Sequence, residues 1–203
     1  MTTQEKNGIT EGVIWKQLLI FFFPILVGSF FQQLYNTVDS VIVGQFVGKE
    51  ALSSVGGSAG QIISLVVGFF TGVSTGATVI ISQYFGAGKK EEIEESLHTA
   101  YAFALVGGLV LGIAGIVFAP QMLLWMNTPE ELIAESVLYV RVYFSGLIFI
   151  FIYNMGAAIL RAVGDSKRPL YYLIVCSVVN IILDLLLILV IPLGVLGAAI
   201  ATL

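Results

Sequence analysis

The chain has 203 residues, of which 58% are hydrophobic and 11% charged, and its formal net charge is −4. Its mean hydropathy is +0.98, whereas a soluble domain is about half apolar and a quarter charged, so the composition excludes a water-exposed globular surface and places the chain in a bilayer. The nine basic residues are dispersed, which excludes nucleic acid as a partner, and the single cysteine, Cys176, excludes an internal disulfide or thiolate metal site and reads as a buried spectator.

The polar stretch Met1 to Glu11 precedes an apolar run longer than a signal-peptide core and without a small-residue cleavage site, so the first helix is expected to be retained. A crossing helix needs about 20 mostly apolar residues. The sequence offers five such runs and the start of a sixth, at about 14–45, 52–84, 97–124, 133–161, 169–191 and 195–203. Between them lie turn and charge clusters: Gly48-Lys49-Glu50, Gly86 to Glu92, Asn127 to Glu131, Gly164 to Pro169 and Pro192-Leu193-Gly194. The pattern predicts an all-α integral membrane bundle of six helices forming a single unit over residues 1–203. The last run has barely begun at Leu203, and open backbone carbonyls at membrane depth are costly, so a fragment of a longer protein is expected.

Alternating the loops across the membrane puts Lys6, Lys16, Lys89, Lys90, Arg161, Lys167 and Arg168 on one side and Lys49 and Arg141 on the other. The basic-residue rule then predicts a cytoplasmic N-terminus in a multi-pass plasma-membrane protein. Arg141 reads as a snorkelling interfacial charge. In the second run Gly68, Gly72 and Gly76 recur every four residues, as do Gly108 and Gly112 in the third, a pattern expected to let helix backbones pack closely.

Two carboxylates sit inside apolar runs, Asp39 in the first and Asp184 in the fifth. Each costs about 2.5–3.5 kcal/mol at a helix centre on insertion scales, which makes both functional candidates. Counting from the expected exits, Asp39, Asp184 and Thr202 lie at a common depth, about 10–12 Å below the outer surface. Asn180 is one helical turn before Asp184, and Gln32 and Asn36 share a face with Asp39. Oxygen ligands from Asp39, Asn180, Asp184 and Thr202 suit a hard cation such as Na+, with Asp39, Asn180 and Asp184 the candidate metal ligands. A proton shared by two coupled carboxylates is the other candidate. Gln61 in the second run, and Tyr139, Tyr143, Tyr153 and Asn154 in the fourth, extend the polar faces as cavity lining. Hydrogen-bonding glue between helices is the competing role for all of these groups. Pro24 removes a backbone hydrogen bond inside the first helix and is expected to kink it, as a fixed bend or as a hinge. No nucleophile triad, zinc spacing or phosphate loop is legible, so no enzyme and no cofactor are expected.

In this order, Gln33-Leu34-Tyr35-Asn36-Thr37-Val38-Asp39, Gln83-Tyr84-Phe85-Gly86-Ala87-Gly88, Arg161-Ala162-Val163-Gly164-Asp165-Ser166-Lys167-Arg168-Pro169 and the pair Asn180 and Asp184 resemble the multidrug and toxic compound extrusion (MATE) transporters. The resemblance runs from Trp15 to nearly the end of the chain. It implies the N-terminal lobe of a pseudosymmetric twelve-helix transporter, with the C-terminal lobe as the missing partner. It further implies an antiporter in which Na+ or H+ couples at Asp39, Asn180, Asp184 and Thr202 to the export of amphipathic or cationic drug-like compounds. Two alternatives stay open: a lipid-linked oligosaccharide flippase of similar fold, and a passive channel or membrane assembly protein.

Overall fold

The computed structural model describes residues 13–203, and all regular structure among them is helical. The polar start Met1 to Glu11, with Lys6, lies outside the described residues. In chain order the helices are α1 (Ile14–Ile42), α2 (Lys49–Gly56), α3 (Ser58–Gly86), α4 (Lys90–Trp125), α5 (Glu130–Ser145), α6 (Leu147–Ala162), α7 (Lys167–Asp184) and α8 (Val195–Thr202). Two of them continue in wider π geometry, α1 through Val43–Val47 and α7 through Leu185–Val190.

Four stretches are long and apolar enough to cross a membrane: Trp15–Val47, Lys49–Gly86, Lys90–Trp125 and Lys167–Val190. The pair α5 and α6 supplies a fifth, bent by 51° at its break. Large apolar side chains stay uncovered along these helices, Trp15 at 66%, Leu65 at 74% and Val190 at 71% exposure, a surface that only lipid or another protein segment would cover. Cys176, expected to be buried, lies on the exposed face of α7. An apolar neighbourhood in a membrane helix points as readily to lipid as to the core.

Loop chemistry ends the helices where the sequence changes character. At α6 the Gly164 backbone turns left-handed (φ 91°) and the Asp165 N–H reaches back to the Leu160 carbonyl at 2.9 Å, closing the last turn. Asp165 Oδ1 then accepts the N–H groups of Lys167 and Arg168, each at 3.1 Å, which caps the start of α7 just ahead of Pro169. One short motif thus finishes one helix and begins the next.

The span expected as a single helix at 133–161 is broken between Ser145 and Leu147, and the cause lies in its neighbours. α4 presents Ala104, Gly108, Gly112, Gly115 and Ala119 as one buried stripe. A Cβ at Gly112 would sit 3.0 Å from the Phe144 carbonyl oxygen, and one at Gly115 would overlap the Phe144 ring. α5 and α6 therefore close onto α4 at backbone distance around the bend. Gly146, at the bend itself, is buried against the side chain of Leu203. The α3 glycines behave differently: a Cβ at Gly68, Gly72 or Gly76 would meet nothing within 4 Å. Their expected packing partner is absent among the described residues.

α1 lies along α7, with Gly28 under Leu170 and Leu173 and Pro24 buried one turn earlier. α8 fits between α5 and α7, and α2 rests on α5 and α3. The apolar core runs through Phe70, Ile81, Leu123, Val140, Leu147 and Phe151, with the rings of Phe70 and Phe151 stacked.

Candidate functional site

Asp39 sits one turn before α1 widens at Val43, and Asp184 is the last residue of α7 before its widening at Leu185. In both widened segments the backbone bonds skip five residues, Gly48 N–H to Val43 O at 3.1 Å and Ile191 N–H to Leu186 O at 3.0 Å. Such π turns recur at functional sites because they re-aim the preceding side chains. The two widened segments also touch each other, which brings both carboxylates to one junction.

Asp184 is fully buried, and its carboxyl lies within side-chain hydrogen-bonding reach of Asp39. Asp39 Oδ1, both Asp184 oxygens and Asn180 Oδ1 are buried without a hydrogen-bond partner among the described residues. The Asn180 amide is oriented by its Nδ2, which donates to the Ala201 carbonyl of α8 at 3.0 Å. Thr202 Oγ1 donates to the Ala198 carbonyl at 2.8 Å and keeps its lone pairs for the Tyr139 hydroxyl of α5, which lies within reach. Asp39, Asn180, Asp184, Thr202 and Tyr139 are thus gathered from α1, α5, α7 and α8.

Buried oxygens without donors are costly. Two carboxylates facing each other away from water require a positive charge between them. No third carboxylate, histidine or cysteine joins them in a metal-binding group among the described residues. An all-oxygen set with two carboxylates can hold a proton or a hard cation.

The other expected residues are distributed around this centre. Tyr143 is buried one turn after Tyr139, their ring centroids 6.5 Å apart, and it lies in the neighbourhood of Tyr35 of α1. Tyr35 was not among the candidates, although its i,i+4 relation to Asp39 makes it readable from spacing alone. Gln32 is exposed and within hydrogen-bonding reach of Tyr35. Asn36 is exposed, its carbonyl accepting the Ser40 hydroxyl at 2.8 Å. Gln61 is exposed near the start of α3. Asn154 does not join the carboxylates: the 51° bend that follows Tyr143 turns α6 away, and Asn154 lines a separate cavity together with Arg161. The helix runs through Pro24 without interruption.

With this geometry in place, the comparison with known proteins is decisive: the family profile MatE matches residues 24–186. The chain belongs to the MATE family. It is 33% identical over its whole length to the probable multidrug resistance protein YoeA of Bacillus subtilis (strain 168), covering 44% of that protein. It is 34% identical over 95% of its length to the probable multidrug resistance protein YpnP of the same organism, covering 43%. All of the chain superposes, with a TM-score of 0.92 and 27% identity, on 44% of a multidrug resistance MATE family transporter of the MOP superfamily solved in an outward-facing conformation. The chain therefore spans less than half the length of the MATE relatives it matches, as one lobe would.

Proposed function

We propose that this chain is the N-terminal lobe of a cation-coupled antiporter that exports amphipathic, often cationic compounds across the cytoplasmic membrane by alternating access. The observation that carries the reading is the set of partnerless buried oxygens on Asp39, Asn180 and Asp184. A proton or Na+ entering from outside neutralises the pair, with Thr202 and Tyr139 completing the oxygen shell. Its arrival relaxes the repulsion between α1 and α7, and the lobes exchange access. The distribution of Lys and Arg supports a cytoplasmic N-terminus, and a second lobe supplies the opposing wall of the cavity. Pro24 is the hinge candidate, because α1 carries Asp39 and its first half makes few buried contacts.

The test is ethidium transport by the full-length protein in everted vesicles under imposed Na+ or H+ gradients. Gradient-driven transport that disappears in Asp39→Asn and in Asp184→Asn, with membrane expression kept, is the expected result and names the ion. Transport that is unchanged in both variants would return the aspartates to the role of helix glue and overturn the reading.

A further inference from the structure

A groove of about 560 Å³ lies between α3 and α4, floored by the buried side chains of Ile81, Ala100 and Met155. It shares no lining residue with the Arg161 cavity. Small residues of α3 keep it open: a Cβ at Gly76 would meet nothing within 4 Å, and Ala77 stands beside it. Ile80 and Phe103 on its walls are exposed, so the groove opens sideways to the surroundings of the helices. For two spanning helices those surroundings are acyl chains.

Polarity changes along the groove. On α4, Glu92, Glu95, Ser96 and Thr99 share one face with Phe103. From Glu92 to Phe103 the helix rises about 16 Å, close to half of a hydrocarbon core of about 30 Å, the depth of a single leaflet. On α3, Tyr84 stands at the polar end and Val73 and Ala77 at the apolar one. Lys89 borders the polar end, with Nζ 3.1 Å from Glu92 Oε1 and 5.9 Å from the centre of the Tyr84 ring. A chain-length apolar slot with a charged mouth has the shape of a phospholipid.

The mouth also selects a headgroup. The ion pairs among the described residues are Lys89 with Glu92 and Arg168 with Asp165, so the Glu95 carboxylate has no cationic partner there. Thr99 Oγ1 donates to the Glu95 carbonyl at 2.9 Å, which leaves lone pairs for the groove. Glu91 and Glu94 add further negative charge against Lys89 and Lys90. Such a mouth repels an anionic headgroup. A quaternary ammonium brings it no N–H, whereas a primary ammonium brings donors to every acceptor.

We propose that this groove is a binding site for a phospholipid with a primary-ammonium headgroup, such as phosphatidylethanolamine. One acyl chain fills the slot between α3 and α4, Glu92 and Glu95 take the ammonium, and Lys89 lies beside the phosphate. The inference needs the bilayer placement of α3 and α4 and not the exporter reading, so either stands or falls without the other.

The probes are dioleoyl-phosphatidylethanolamine, dioleoyl-phosphatidylcholine and dioleoyl-phosphatidylglycerol, each titrated onto the detergent-solubilised full-length protein and counted by native mass spectrometry. The wild type is expected to bind the ethanolamine lipid about tenfold more tightly than either of the others. Glu92→Gln combined with Glu95→Gln should bring the ethanolamine and choline lipids within about twofold of each other. Gly76→Leu places a side chain where the groove has open space and should also remove the preference, leaving the headgroup-blind binding of the remaining surface. Ala77→Leu serves as the filling variant if Gly76→Leu does not fold.

Equal affinity of the wild type for all three lipids overturns the proposal, as does an ethanolamine preference that survives in the folded carboxamide or groove-filling variants. A filling variant that loses thermal stability with lipid binding unchanged overturns it too, and assigns the groove to the second lobe.

Discussion

Arg141 Nε on α5 donates a 3.2 Å hydrogen bond to the carbonyl oxygen of Ile116 on α4, the acceptor left vacant by Pro120 one turn further on. Proline has no N–H to return to the fourth residue before it, and in a membrane that carbonyl finds no water. Arg141 lies about 16 Å along α5 from its start at Glu130. The guanidinium thus bridges two helices, a contact beyond the interfacial snorkel read from the sequence.

Arg141→Met should therefore lower stability by about 1.5–3 kcal/mol, the usual worth of a hydrogen bond to a charged group. The loss should shrink when Pro120→Ala restores the missing N–H. Unfolding of the four members of this double-mutant cycle in mixed detergent measures the coupling, and simple additivity would mean that the two residues act independently.

The two glycine stripes predict opposite responses. Gly115→Ala drives a methyl group into the Phe144 ring and should cost about 1–3 kcal/mol by overpacking. Gly72→Ala meets open space and should be neutral or stabilising by up to about 1 kcal/mol, since alanine is the better helix former. Thermal unfolding of both variants decides it. A loss at Gly72 as large as that at Gly115 would show that the α3 face is covered in the whole protein.

Short helix α2 is fastened to α5 by two buried serines. Ser136 Oγ donates to the Ser54 carbonyl at 3.1 Å, and Ser54 Oγ donates to Glu135 Oε2 at 3.3 Å. Ser136→Ala removes one donor and should loosen α2 by about 1 kcal/mol. Hydrogen exchange should accelerate in the α2 amides and remain unchanged in α6.

At the carboxylate junction, Tyr139→Phe keeps the ring and deletes the hydroxyl that reaches Thr202. If the ion is held there, the ion concentration for half-maximal efflux should rise by about tenfold with folding unaffected. A lowered maximal rate with an unchanged ion requirement would place Tyr139 on the substrate side instead.

Much of this was legible before any coordinates. Low charge, five apolar runs and the clusters between them specify a membrane bundle, because crossing a bilayer fixes helix length and expels charge to the ends. Asp39 and Asp184 stand out for the same reason. Other features depended on neighbours. Tyr139, Tyr143 and Asn154 read as a common polar stripe while 133–161 is taken as straight, but the break after Ser145 leaves Tyr139 beside the carboxylates and sends Asn154 to the Arg161 cavity. Nothing in that segment announces the break strongly, since glycine is common in membrane helices. It is enforced from α4, where Gly112 and Gly115 admit the Phe144 backbone and ring.

The sequence by itself determined the solvent, the number of apolar runs and which two carboxylates are too costly to be incidental, because transfer free energies into lipid depend on composition within one segment. Tertiary structure decided that Asp39 and Asp184 face each other, that their helices widen beside them, that Arg141 completes the Ile116 carbonyl and that Arg161 shares a cavity with Asn154. Those relationships join residues up to 145 positions apart, and only the packing of one helix against another can set their distance.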